Sequence, residues 1–269
     1  MSEMSLTEQV ITVEDGLGSR APSARPWHKE VGVELDHVSA AYTGRHAFTD
    51  VTGTFAAGSL TAVVGPNGAG KSSLLKAIAG TLRLQSGTVV CAARHHHDLA
   101  YLPQQTELDR SFPIEVRELI ALGAWRSFGA YRRPRDEVFE RLAQAAAATG
   151  LENVLKRPVE ELSVGEFQRA LFARLLLQDA AVILLDEPFA AVDESTTEDL
   201  MGLVRRWRME GRTVIAVLHD LDQVREDFPI SLLLARTCIA WGETASVLTT
   251  DNLTRARRAM QERDNKGLR

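Results

Sequence analysis

Cysteine is nearly absent: Cys91 and Cys238 are the only two in 269 residues. Two thiols make no disulfide framework, so the fold must rest on a packed core, and buried neutral thiols in a reducing compartment are expected. Long apolar runs are missing as well. The longest, near 182–185 and 231–235, are strand lengths, far short of the ~20 residues of a membrane helix. The first 30 residues contain no apolar h-region, so no secretory leader is expected. Basic excess is lacking too. Lys and Arg number 31 against 36 Asp and Glu, a net charge of −5, which speaks against a nucleic-acid partner. There is no internal repeat. What remains is ordinary globular composition, 45% hydrophobic and 25% charged, in a chain long enough for a large core.

Against that background one stretch stands out: Gly65-Pro66-Asn67-Gly68-Ala69-Gly70-Lys71-Ser72, followed by Ser73. It matches G-x-x-x-x-G-K-[ST] at every fixed position. An apolar strand at 60–64 precedes it and a helix at 73–79 follows, the context such a phosphate-binding loop requires. The glycines let consecutive backbone N–H groups turn toward an anion, and the helix adds its positive end. Lys71 supplies charge for the β- and γ-phosphates, and the Ser72 hydroxyl suits Mg²⁺.

The rest of the chain reads in order around that loop. Residues 1–30 have no periodicity and predict a flexible tail. Val33, Leu35 and Val38, then Phe48, Val51 and Phe55, predict two half-buried strands. Gly80 is a candidate helix end. Strands are expected at 88–91 and 99–102. From 104 to 178 the pattern turns helical, at 114–122, 137–149 and 167–177, as in an insertion within an α/β core. A continuous apolar run at 182–185 suits a parallel strand. A helix at 196–209 and strands at 213–218, 230–234 and 247–248 follow, with a charged C-terminal tail at 251–269. Alternating strands and helices predict a mostly parallel sheet.

Several residues join the loop as candidates. The run at 182–185 ends in Asp186-Glu187, where the first acid can hold Mg²⁺ and the second can deprotonate an attacking water. His219 follows the strand at 213–218, at the sheet edge where ligands bind. Gln104 follows the strand at 99–102 and can sense metal or water, with Gln105 a rival by position. Leu162-Ser163-Val164-Gly165-Glu166-Phe167-Gln168-Arg169 opens a helix that Ser163 can cap.

In this order the motifs resemble the ATP-binding subunit of an ATP-binding cassette (ABC) transporter, over about residues 31–250. The resemblance implies a P-loop NTPase α/β fold with a helical insertion and an antiparallel β subdomain, and ATP and Mg²⁺ as substrate and cofactor. It implies that Gln104, Glu187 and His219 are catalytic and that Ser72, Gln104 and Asp186 hold Mg²⁺. It further implies that Tyr42 stacks on adenine. Ser163 and Gly165 would reach the ATP of a second copy in a head-to-tail dimer, with Asp193 lining the interface. The family's usual L-S-G-G-Q is replaced here, Val164 standing for a glycine and Glu166 for a glutamine. Val164 predicts backbone restriction, and Glu166 an acid near the second copy's phosphates.

Ala100-Tyr101-Leu102-Pro103-Gln104-Gln105, Phe112-Pro113 and Pro188-Phe189-Ala190-Ala191-Val192-Asp193 are similar to the zinc/manganese-type importers. The implied partners are a separate integral membrane permease and, indirectly, an extracytoplasmic metal-binding protein. The chain would then be cytoplasmic, held to the inner face of the membrane by the permease. A siderophore or cobalamin importer and an ATP-gated regulatory module are the alternatives. Trp125, Phe128 and Tyr131, among Arg126, Arg132, Arg133 and Arg135, read as a permease-facing loop or as an exposed one. His95, His96 and His97 read as a solvated loop rather than a metal site.

Overall fold

The computed structural model describes residues 32–42, 45–91, 98–125 and 136–267. The 1–30 tail, the His95, His96 and His97 run, and the loop carrying Phe128 and Tyr131 lie outside the described residues. No described helix is long and apolar enough to cross a membrane.

Two sheets organise the molecule. β1 (Val33–Tyr42), β2 (Arg45–Phe55) and β4 (Leu84–Cys91) form an antiparallel sheet in the order β2-β1-β4. The second sheet has six strands. It contains β3 (Leu60–Val64), β5 (Leu99–Leu102), β6 (Val182–Asp186), β7 (Thr213–Val217), β8 (Ile230–Leu234) and β9 (Cys238–Glu243), in the order β5-β6-β7-β3-β8-β9. All its pairings are parallel except β8 with β9.

The strands β3, β6 and β7 are buried on both faces, which explains their unbroken apolar runs. Their side chains alternate between two cores. Val63, Val182, Leu184, Ile215 and Val217 face the antiparallel sheet and α1 (Lys71–Ile78). Ala62, Val64, Ile183, Leu185, Val214 and Ala216 face α4 (Val164–Gln178) and α5 (Glu194–Met209). Each fully buried Val, Leu or Ile contributes roughly 1.5–3 kcal/mol of burial, so the layer between two cores is the stiffest part of the fold.

Between 104 and 178 the described elements are helical. They are α2 (Val116–Ala121), α3 (Asp136–Ala148), α4 and short 3₁₀ turns, with a single isolated bridge from Glu115 to Pro158. The strand expected at 247–248 is not there. Cys238–Glu243 forms β9 instead, and α7 (Thr244–Val247) follows, closed by the Leu248 N–H donating to the Thr244 carbonyl at 2.9 Å. Val247 and Leu248 are buried, and a buried apolar pair alone does not separate a strand from a helical turn. α6 (Leu221–Asp227) follows β7, and the charged C-terminal stretch is helical as α8 (Thr250–Gly267).

Register decides where the chemistry falls. Leu102 pairs with Leu185, Asp186 with Val217, and Val63 with Val217. The carboxyl ends of four adjacent strands therefore line up, and the loops after them share one edge.

Candidate active site

The phosphate loop leaves β3 at Gly65 and enters α1 at Lys71. Gly65, Gly68 and Gly70 all have positive φ. A Cβ on Gly70 would meet the Ala47 carbonyl oxygen at 2.4 Å, and one on Gly65 the Leu234 carbonyl oxygen at 2.0 Å. The backbone itself has to pass there, so no other residue fits. Lys71 is buried and its Nζ donates to the carbonyls of Gly65 at 2.9 Å and Pro66 at 3.2 Å. Burial pulls the lysine below its ordinary range, opposed by the charges of Glu187 and Asp186.

The outer flank of the loop is braced from far along the chain. The Arg236 N–H donates to the Ala69 carbonyl at 2.8 Å and its Nε to the Gly68 carbonyl at 3.4 Å. Met260 of α8 lies beyond Gly68, its Cε 3.6 Å from where a Cβ would stand.

Two carboxylates close the other side. Ser72 donates its hydroxyl to Asp186 Oδ1 at 2.9 Å, and Tyr101 donates to Oδ2 at 3.3 Å. Burial pushes the Asp186 carboxyl above the usual carboxylate range, while those two hydrogen bonds pull it back. Glu187 sits at φ 50, a left-handed backbone unusual for a residue with a side chain. That turn lifts its carboxylate away from the strand. Gln104 Nε2 donates to Oε2 at 2.9 Å and His219 Nε2 lies 2.6 Å from Oε1. Gln105, the positional rival, faces elsewhere: its Nε2 reaches the Val164 carbonyl at 3.5 Å.

These residues fit a nucleoside triphosphate with Mg²⁺. The cradle is one that a Cβ would fill, and the Ser72–Asp186 pair offers hard oxygen donors. No group of three or more His, Cys, Asp and Glu among the described residues can hold a metal alone.

The signature stretch is built differently. Ser163 caps α4, its Oγ accepting the Glu166 N–H at 3.2 Å, while Glu166 Oε2 accepts the Ser163 N–H at 2.8 Å. The backbone restriction expected at Val164 is absent, because Val164 is helical and is not a positive-φ residue. Nor does the Glu166 acid project outward. It turns back into its own turn, and Arg157 Nη1 donates to Oε1 at 3.1 Å. Gly165 has ordinary room: a Cβ there would lie 3.5 Å from both Asp193 Oδ2 and Thr196 Oγ1. Asp193 itself caps α5, accepting the Thr196 N–H at 2.9 Å.

The structure thus brings Lys71, Ser72, Gln104, Asp186, Glu187 and His219 together. Among the described residues no hydrogen bond joins Ser163 or Gly165 to Lys71 or Ser72. Tyr42 ends β1 and is 46% exposed. Sequence reasoning assigned no role to Tyr101, Arg157, Arg236 or Met260, whose contacts here come from other elements of the chain. Only the Tyr101 hydroxyl carried a signal, being a polar tip in an otherwise apolar strand.

The ABC transporter family model matches residues 48–190. The manganese transport system ATP-binding protein MntB of Bacillus subtilis is 35% identical over 225 residues, covering 82% of this chain and 90% of its own. The zinc transport system ATP-binding protein TroB of Treponema pallidum is 37% identical over 228 residues, 83% of this chain and 86% of its own. Among solved structures, an inward-facing transporter described as metal-chelate type superposes with a TM-score of 0.76 at 26% identity. It covers 85% of this chain and 89% of that one. The ADP conformation of the cassette MJ1267 shares the fold, with a TM-score of 0.70 at 21% identity over 84% of this chain and 98% of its own.

Proposed function

This chain belongs to the ABC transporter family as an ATP-binding subunit with ATPase activity, and from that premise we propose that it energises uptake of a divalent metal ion, zinc or manganese, through a separate membrane permease. The names of the MntB and TroB relatives support the metal, as do the stretches 100–105 and 188–193.

One observation carries the mechanism: the Glu187 carboxylate is held from two neighbouring strand ends, by Gln104 and by His219. Glu187 is the base that takes the proton of the attacking water. Each of its oxygens has more than one lone pair, so accepting these hydrogen bonds leaves room for that proton. His219 and Gln104 orient it, as a general base must be oriented within hydrogen-bond reach of the water. Lys71, with the backbone of 65–73, binds the phosphates, and the exposed Tyr42 ring stacks on adenine. Ser72, Gln104 and Asp186 would hold Mg²⁺, which would supply positive charge for the β- and γ-phosphates.

The nucleotide is completed by Ser163 and Gly165 of a second, head-to-tail copy. Two features support this. The Ser163 hydroxyl spends an acceptor on its own helix but keeps its O–H to donate. Gly165 answers no steric need within its own chain. The pair works on the inner face of the membrane, bound to the permease, and an extracytoplasmic metal-binding protein delivers the ion from the other side.

The test is ATP-driven uptake of labelled zinc and of labelled manganese into vesicles carrying this chain with its permease. Uptake of one ion that is lost with Glu187→Gln is expected. ATP hydrolysis in those vesicles with neither ion moved would overturn the metal assignment.

A further inference from the structure

We propose that Arg157 is a positioning residue of the signature stretch: it neutralises the Glu166 carboxylate and turns it back, so that the start of α4 can approach the triphosphate held by a second copy. The inference rests on the head-to-tail reading above.

Two negative groups cannot meet at a nucleotide site without cost, since like charges brought together at an interface oppose binding. Glu166 is the third residue of α4, where a free carboxylate would face the incoming phosphates. Both of its oxygens are instead engaged. Oε2 accepts the Ser163 N–H at 2.8 Å, and Oε1 accepts Arg157 Nη1 at 3.1 Å.

The guanidinium is itself fixed. Its Nη2 donates to the Glu161 carbonyl at 2.7 Å, and its Nε lies 3.8 Å from the Glu161 carboxylate. The Arg157 backbone is pinned on both sides. Its N–H donates to the Val154 carbonyl at 2.9 Å, and its carbonyl accepts the Val116 N–H at 3.0 Å. The cation therefore stands on a rigid turn and the acid comes to it.

The chemistry explains why this chain carries an acid where its family carries an amide. A glutamine could accept the Ser163 N–H with its one oxygen, but its NH₂ would then face the guanidinium, donor against donor. Arginine at 157 and glutamate at 166 are a matched pair. Together they leave the helix start with its N–H groups and the Ser163 O–H, and with the Glu166 charge paired.

The test uses the full chain in a Glu187→Gln background, which keeps ATP from turning over. ATP-driven dimerisation is measured by analytical ultracentrifugation with ATP and Mg²⁺, at low and high salt, and a fluorescent nucleotide reports ATP binding on the same samples. Arg157→Gln, which keeps a donor for the Glu161 carbonyl, should weaken the dimer about tenfold at low salt, and the defect should shrink as salt screens the bared charge. Adding Glu166→Gln should restore the dimer to within about twofold of the parent. A defect that salt does not reduce and Glu166→Gln does not relieve would overturn the proposal, leaving Arg157 as a mere loop anchor.

If thermal unfolding shows that Arg157→Gln does not fold, Arg157→Lys with and without Glu166→Gln reads the same pair. A weaker dimer in the single variant supports the lock, and equal dimers overturn it. A parent that binds ATP without dimerising would overturn the head-to-tail reading and this inference with it. A parent dimer that Arg157→Gln leaves unchanged overturns this inference alone.

Discussion

The two parts of the proposed nucleotide site are built on opposite plans. The half around Gly65–Ser72 draws its groups from four strand ends, through bonds that span 114, 83 and 32 residues of chain. Its Lys71 and Asp186 are buried, and Gly65 and Gly70 are demanded by the chain's own backbone. The signature half is assembled within four residues, from Ser163 to Glu166, by a capping box. It is exposed, and its glycine has room to spare. Groups that must act on a bond are preorganised by the sheet before any partner arrives. Groups proposed to meet a partner's ligand are made locally, by a helix cap and one nearby arginine.

The sharpest way to break this contrast is Glu187→Gln. Turnover should fall by roughly 10²–10⁴-fold, the usual range for losing a positioned base, while fluorescent-nucleotide affinity stays within about twofold. Surviving phosphate release would show that the preorganised half does not hold the base.

A pair of alanine substitutions separates the two kinds of glycine. Gly70 has φ 96 and a carbonyl where the Cβ would go, so Gly70→Ala should cost about 2–3 kcal/mol in urea unfolding. Gly165→Ala should stay within about 1 kcal/mol of the parent yet weaken the ATP-driven dimer. Equal losses of stability would erase the distinction.

Tyr101→Phe removes one of the two hydroxyls on Asp186. A hydrogen bond of this kind is worth about 0.5–1.5 kcal/mol, so the Mg²⁺ concentration giving half-maximal hydrolysis should rise roughly two- to tenfold. An unchanged Mg²⁺ requirement would mean that Ser72 alone positions the carboxylate.

The smallest effect is one of pH. The Ser163 N–H, and behind it the Arg157 charge, hold the Glu166 carboxyl below its usual range. A depressed folded-state value adds stability above the unfolded-state value, near 4.3, and that stability is lost as pH falls through the lower folded value. The gap in urea midpoint between the parent and Glu166→Gln should be flat above pH ~5 and shrink below pH ~4. A gap that widens with acid would contradict the bonded carboxylate.

How much of this was legible before the structure follows the same divide. The phosphate loop's strand–loop–helix setting, the apolar strands expected at 182–185 and 213–218 and found at Val182–Asp186 and Thr213–Val217, and the Ser163 cap are local patterns that the residues alone carry. Closure is not local. Gln104 and Gln105 are equivalent in sequence; only the 3₁₀ turn that starts at Gln105 sends one side chain to Glu187 and the other to the Val164 carbonyl. The Glu166 acid was visible, but not the arginine nine residues earlier that neutralises it. α7 was missed because two buried apolar residues carry no period, and β9 because its side chains are half-buried without alternation.

The bracing of the phosphate loop sets an order of events during synthesis. Gly68 and the arginine that buttresses it are 168 residues apart, and at typical ribosomal speeds of about 5–20 residues per second the loop emerges roughly ten to thirty seconds before that support. Met260 comes later still. A nascent chain therefore carries its most recognisable motif long before the motif is held in shape. The phosphate loop is thus among the last of the described features to receive its full set of contacts.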